Sequence, residues 1–172
     1  MAHLVAILER GRAAKLVPSA RMAYEMARIH DEVAGRATSG ATLRGVIKGF
    51  HHNGLARYHK EADGVLDGYW NLSFKYADEA RGTLLGAYYR LAPRITDYHA
   101  AIAEAGAIIV SARVHDGWVK PGRGRIKFLR QQKNLAHAFV IVGYNAEGFI
   151  VLNSAGREWS SYGGGPGRAR RR

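Results

Sequence analysis

Apolar residues recur every three or four positions over the first third of the chain, the spacing that places them on one face of a helix. This spacing predicts three helices: one over residues 1–10, a second with Pro18 in its first turn, and a third from about Thr42. Gly54 is predicted to end the third helix, because glycine readily adopts the backbone conformation that closes a helix.

The pattern changes in the second half, where apolar runs are shorter and rich in β-branched and aromatic residues. The sequence predicts a strand over 88–95 and then a helix over 96–105, with Thr96 as its N-cap. The continuous apolar run at 107–114 predicts a strand that is buried on both faces.

Two further apolar runs, at 137–144 and 149–152, predict a β-hairpin whose tight loop ends at Gly148. A polar residue lies at the far end of each strand. His137 begins the first strand, and Asn153 follows the second. The hairpin therefore brings two polar side chains to the same end of a sheet.

The pairing register decides whether these two side chains meet. If Tyr144 pairs with Gly148, Asn153 lies opposite Phe139 and shares a face with His137, as a diagonal neighbour about 7–8 Å away. Pairing with an odd sum of residue numbers would place them on opposite faces. Two interpretations of such a pair are open. In one, the amide orients the imidazole as a titratable base. In the other, the His and the Asn only satisfy each other's hydrogen-bonding groups at the rim of a barrel.

Charge and composition exclude several kinds of site. The 172 residues contain no cysteine, which excludes disulfides, thiolate metal sites and a cysteine nucleophile. No apolar run is long enough to span a membrane.

A net charge of +12 makes weak, salt-sensitive polyanion binding plausible, but no motif supports sequence-specific recognition. No metal site or cofactor is expected, because the histidines near the third helix lack a ligand spacing and fit a solvated surface: His30, His51, His52 and His59.

The stretch AHAFVIVGYNAEGFIVLNSAGREW resembles the His and Asn block of papain-like cysteine peptidases (C1-type). The matching residues are His137, Gly143, Tyr144, Asn153, Ser154, Gly156 and Trp159. Looser matches to the helical lobe of the family are Val17, Pro18, Tyr24, Gly40, Thr42, Leu43, Arg44 and Gly54. The resemblance implies that His137 is the general base of a Cys–His pair and that Asn153 orients it.

The fold that the resemblance implies is α+β, a helical lobe beside an antiparallel, partly open β-barrel lobe. The helical lobe is expected over 1–58, a crossing segment over 59–90 and the barrel lobe over 91–160. Residues 161–172 form a basic tail that cannot make another strand, expected to be disordered or the product of a shifted reading frame.

The sequence departs from the family pattern at the nucleophile and at the oxyanion hole. In papain-like peptidases a Cys opens the central helix, and a Gln just upstream completes the oxyanion hole. The resemblance implies that the given sequence starts within a residue or two after that Cys, and neither the Cys nor the oxyanion-hole Gln is present. Ala155 also replaces the Trp that shields the His–Asn contact.

Three interpretations follow from these departures. The first is a truncated or misannotated cysteine peptidase, inactive as written, whose intact form hydrolyses peptide bonds. The second is a pseudopeptidase that keeps the cleft to bind peptides, and the third is a basic module that binds polyanions. The expected partner is a peptide or protein substrate, with no membrane partner. If the N-terminus as given is the true one, the lack of a signal peptide predicts a cytoplasmic location.

Overall fold

The computed structural model of the chain describes the residues 17–32, 40–63, 70–119, 121–122, 124–130, 132–156 and 159. The helix predicted over 1–10 and the tail at 161–172 lie outside the described residues. Within the described ranges, no helix is long and apolar enough to cross a membrane.

Two helices that pack against each other, α1 (Ala20–Ile29) and α2 (Leu43–Asn53), build the first half of the structure. Helix α2 confirms the third predicted helix. Pro18 lies outside α1, contrary to the sequence prediction. The Ser19 side chain accepts a hydrogen bond from the backbone N–H of Met22. Ser19 is therefore the N-cap, and the helix begins at Ala20.

The two helices pack closely because α2 presents glycines to α1. A Cβ atom at Gly49 would lie 2.8 Å from the carbonyl carbon of Met26, and one at Gly45 would lie 2.8 Å from the Ala27 carbonyl oxygen. Their contact helps to bury a core whose buried members are Met22, Met26, Phe50, Leu55, Ala56 and Ala80. The apolar face formed by Met22, Met26 and Ile29 is therefore only partly a core face, because both methionines are buried and Ile29 is 67% exposed.

A buried carboxylate joins α1 to the next two helices, α3 (Lys60–Asp63) and α4 (Phe74–Ala80). Asp63 accepts the Ser19 hydroxyl at 2.5 Å, the backbone N–H of His59 at 2.7 Å and the Tyr76 hydroxyl at 3.3 Å. Burial, followed by the nearby Asp63 charge, raises the pKa of Tyr76 to about 12. The donors compensate the cost of burying the charge.

The strand predicted over 88–95 is absent, since residues 84–92 have no regular secondary structure. Leu84 and Tyr89 in this stretch are exposed, and no described strand pairs with it. Helix α5 (Ile95–Ala105) follows and ends at Gly106, which has φ +80°, as predicted. Its N-cap is Arg94, not Thr96, and no side chain caps the helix there.

The second half contains a three-stranded antiparallel sheet of β1 (Ile108–His115), β2 (Gln132–Asn145) and β3 (Gly148–Leu152), with β2 in the centre. Helix α5 covers one face through a core of Ile102, Ile108 and Ile141. The prediction that β1 is buried on both faces is wrong. Ser111 and Arg113 alternate outward and are exposed, because nothing in the described residues covers that part of the other face.

The β2–β3 hairpin changes register along its length. At the tip Asn145 pairs with Gly148, so the loop has two residues rather than the predicted three and the sum of residue numbers is odd. A β-bulge at Val142 then restores an even sum, since Ile141 pairs with Val151. The predicted tip register was wrong, but the register toward His137 is the predicted one.

Candidate active site

The sheet brings His137 and Asn153 to one end of one face. His137 lies in β2 opposite Ala112 of β1, and Asn153 directly follows the last residue of β3. Val140 pairs with Leu152, so the same register extended by one residue places Asn153 across from Phe139, a diagonal neighbour of His137. The bulge in β2 is what gives the two side chains this common face.

The two side chains make a direct hydrogen bond, with His137 Nε2 and Asn153 Oδ1 2.7 Å apart. The Ser154 backbone N–H also donates to Asn153 Oδ1, at 2.8 Å. A backbone N–H can only donate, so the amide atom that faces both groups is the oxygen. His137 must therefore donate from Nε2, and its neutral form keeps the lone pair on Nδ1.

This tautomer makes His137 a base with a defined reactive atom. Both side chains of the His137–Asn153 pair are half-buried. A His whose one nitrogen is held by an acceptor while the other is free is the arrangement that activates a nucleophile by removing its proton.

Aromatic rings surround the pair on the side of the β1–β2 connection. The Trp118 ring lies edge-on to His137, with centroids 6.1 Å apart, and contacts Phe139 at 4.7 Å. Trp159 donates its indole N–H to the Trp118 carbonyl oxygen at 2.6 Å and packs against its ring. Trp118 thus lies beside the pair. Ala155, which replaces the Trp of the papain-like pattern, has no aromatic ring.

Trp118 is positioned by a short 3₁₀ helix, Asp116–Trp118, that follows β1. The buried His115 accepts the Gly117 N–H on Nδ1 at 3.1 Å and fixes the start of this turn. A Cβ atom at Gly117 would lie 2.1 Å from the Lys127 carbonyl oxygen, so only glycine allows the chain at 127 to cross so closely. His115 was missed from the sequence, since a single His at a strand end carries no distinguishing pattern.

The histidines near α2 form no metal site: the described residues contain no group of three or more His, Cys, Asp or Glu that could hold a metal ion. Three of these histidines are also hydrogen-bonded to other residues, whereas the sequence predicted side chains that contact only solvent. His30 accepts from Asn53 Nδ2 at 2.8 Å, His51 Nδ1 lies 3.0 Å from the Leu85 carbonyl oxygen, and His59 bonds Glu79 at 2.9 Å.

The His59–Glu79 contact also perturbs an acid. Burial tends to raise the pKa of Glu79, but hydrogen bonds from the His59 side chain and the Arg57 backbone outweigh it, so the net effect lowers that pKa. This pair connects α4 to the segment after α2. It belongs to the helical half of the structure and takes no part in the His137–Asn153 pair.

Comparison with known proteins gives one kind of match. No family model matches the chain, and no curated protein matches it. Among solved structures, the fold is similar to that of xylellain, a cysteine protease from Xylella fastidiosa, with a TM-score of 0.71 and 22% sequence identity. The match covers 92% of this chain but only 65% of the xylellain chain, so this chain spans about two thirds of that structure.

The similarity establishes the fold. The chain is α+β, with helices followed by an antiparallel sheet, and it matches the papain-like cysteine protease fold. The fold class predicted from the sequence is confirmed. The His137–Asn153 pair lies on the sheet side of this fold.

Proposed function

We propose that this chain carries the base half of a papain-like cysteine peptidase site, in which His137 is the general base and Asn153 orients it. The observation that supports the proposal best is the 2.7 Å hydrogen bond from Nε2 to the amide oxygen, which leaves Nδ1 as the proton acceptor. The substrate is a peptide or protein, bound in a cleft between a helical lobe over 1–58 and a barrel lobe over 91–160.

The 172 residues alone do not hydrolyse peptides at a useful rate, because they contain no cysteine. Removing the nucleophile from a hydrolase that uses a nucleophile and a general base lowers the rate by a factor on the order of 10⁶. Catalysis by this site therefore requires a thiol brought to Nδ1 of His137.

The test restores the thiol. The chain is extended at its N-terminus by a segment in which a Gln precedes a Cys, with Met1→Cys placing the thiol directly before Ala2. We expect hydrolysis of a fluorogenic peptide by the extended chain and none by the original. His137→Ala in the extended chain should lower kcat/KM by about 10²–10⁴-fold, the usual contribution of a general base. Asn153→Ala should lower it by a smaller factor.

A second readout separates a wrong mechanism from a badly placed thiol. The rate of thiol alkylation by iodoacetamide at neutral pH reports the thiolate population. His137→Ala should slow alkylation if the imidazole holds the thiolate. A folded extended chain, checked by circular dichroism, whose thiol alkylates equally fast with and without His137 would contradict the proposal.

A second candidate function is peptide binding without hydrolysis, favoured by the lack of cysteine in the whole sequence. It uses the same half-buried His137–Asn153 pair as a polar anchor for a peptide backbone. Binding of labelled peptides to the unextended chain, weakened by His137→Ala, would support it. Salt-sensitive nucleic-acid binding without any peptide binding would favour a polyanion module instead.

A further inference from the structure

We propose that residues 124–130, which contact the turn that carries Trp118, recognise acidic side chains of a bound peptide. The inference rests on the proposed function, because it names the class of peptide that the same site takes. It makes the expected ligand an acidic peptide with an apolar side chain next to the acidic one.

Contacts place this segment next to the candidate site. The Lys127 carbonyl oxygen lies against Gly117 of the 3₁₀ helix, and the Phe128 ring lies edge-on to His115, with centroids 5.5 Å apart. The same 3₁₀ helix carries Trp118, whose ring contacts His137. One turn of chain therefore touches the 124–130 segment on one side and the base on the other.

The segment is held in a defined shape. The Arg125 N–H donates to the Gly122 carbonyl oxygen at 3.0 Å, which closes a turn at its start. The Arg125 guanidinium also bonds Glu147 in the tip of the β2–β3 hairpin. These contacts fix the start of the segment, which reduces the entropy cost of association there.

The charge of the segment is positive and largely uncompensated. No Asp or Glu occurs between Asp116 and Glu147, a stretch that contains six Lys or Arg residues. Arg125 is paired with Glu147, but Lys127 and Arg130 are exposed, and no carboxylate of the described residues forms an ion pair with either. Their charges are available to carboxylates of a ligand, which they attract and orient.

An apolar component accompanies these charges. Phe128 is 74% exposed and Leu129 is 43% exposed. Exposed large apolar side chains rimmed by charged ones are typical of interaction sites. A single exposed ring does not provide the successive stacking platforms that single-stranded nucleic acids use, so the arrangement favours a peptide.

The test measures binding to the full 172-residue chain by fluorescence anisotropy. One labelled peptide alternates Asp and Glu with Leu and Phe. A second replaces every acid by its amide, and labelled oligo(dT) serves as the nucleic-acid probe. The variant Lys127→Glu with Arg130→Glu reverses the charges of the segment. Lys75→Glu with Arg81→Glu makes the same change in overall charge at two exposed positions by α4.

We expect the acidic peptide to bind about tenfold more tightly than the amide peptide at low salt. The double reversal at 127 and 130 should remove this preference, whereas the control reversal should leave most of it. Phe128→Ala should weaken both peptides alike, since it removes an apolar contact.

The unfavourable outcomes are distinct. If neither peptide binds, the proposed function itself fails. If both bind equally, or if the control reversal is as damaging as the reversal at 127 and 130, peptide binding stands and the acidic preference is overturned. If oligo(dT) binds more tightly than the acidic peptide and depends on the same two residues, the surface is a polyanion site and the inference is overturned.

Discussion

At the residue scale, one atom decides the chemistry of the candidate site. Asn153 Oδ1 accepts from both the Ser154 N–H and His137 Nε2, so the amide orientation and the imidazole tautomer are fixed together. The sequence predicted the two residues and their shared face. It could not predict which imidazole nitrogen is free, because that depends on a backbone N–H whose direction only the folded chain sets.

Gly54 provides a stability prediction at the same scale. It closes α2 with φ +72°, and a Cβ atom there would lie 2.0 Å from the Ala80 carbonyl oxygen. Gly54→Ala should therefore lower the free energy of unfolding by about 3 kcal/mol, from backbone strain and a clash with rigid backbone. Urea denaturation followed by circular dichroism measures the change.

Gly106 is the matched control. It closes α5 with φ +80°, but a Cβ atom there would meet nothing within 4 Å. Gly106→Ala should cost only about 1 kcal/mol, the strain of a non-glycine residue in the left-handed region. Equal losses for the two variants would show that the close approach of Gly54 to Ala80 contributes nothing.

At the scale of elements, the sequence predicted regular structure best where local signals agree. Helix α2 has its N-cap Thr42, its apolar face and its terminal glycine all visible in the sequence. The strand predicted over 88–95 had suitable residues but no partner strand, and partners are set by tertiary structure. The register at the hairpin tip was missed for a similar reason, since the bulge at Val142 has no sequence signal that distinguishes it from a regular pair.

The beginning of α1 gives a second prediction. Ser19 is fully buried and both caps the helix and donates to the buried Asp63. Ser19→Ala should destabilise the fold by about 2–4 kcal/mol, because it removes a cap and also a hydrogen bond to a buried charge. Ser73 caps α4 in the same way, but it is exposed. Ser73→Ala should cost about 0.5–1 kcal/mol, and thermal unfolding of the two variants compares them directly.

The contact of α1 with α2 gives a prediction about pH. Asn53 Nδ2 also donates to the Gly49 carbonyl oxygen, so it is the donor to His30 Nε2, which must be unprotonated. Burial, then the neighbouring His52 and Lys48 charges, lower the pKa of His30 below its usual value of 6.5. As the pH falls below that value, the unfolded chain takes up the proton first. The stabilisation from neutral His30 is complete above it and is lost toward the lower folded-state pKa.

His30→Gln should therefore reduce the loss of stability between about pH 7 and pH 5. Urea midpoints of the parent and the variant at the two pH values measure this difference. An unchanged pH dependence in the variant would mean that another group controls it.

At the scale of the whole molecule, the high net positive charge is expected to affect stability. A charge of +12 on 172 residues produces self-repulsion that opposes the compact state. Raising NaCl from about 0.01 M to 0.15 M shortens the Debye length from about 30 Å to 8 Å and should raise Tm. Differential scanning fluorimetry measures this, and a fall in Tm over that range would show that favourable ion pairs outweigh the repulsion.

The overall architecture was predictable from the sequence to the level of fold class. The α+β order and the pairing of His137 with Asn153 follow from hydrophobic periodicity together with the ordered resemblance around the hairpin. The position of Trp118 beside the pair and the position of the 124–130 segment were not predictable. Both depend on the close crossing of the chain at Gly117, a contact between residues whose spacing forms no recognisable motif.

The bulge at Val142 has a consequence for how the hairpin can vary in evolution or in protein engineering. The pairs on the His137 side are set by Ile141 opposite Val151 and do not depend on the length of chain beyond them. One residue could be added at the two-residue tip, or removed at Val142, without exchanging the faces of His137 and Asn153. A single insertion between 137 and 141 would exchange them. Natural length variants and grafted loops that retain the pair should therefore have their single-residue changes in length within 142–148.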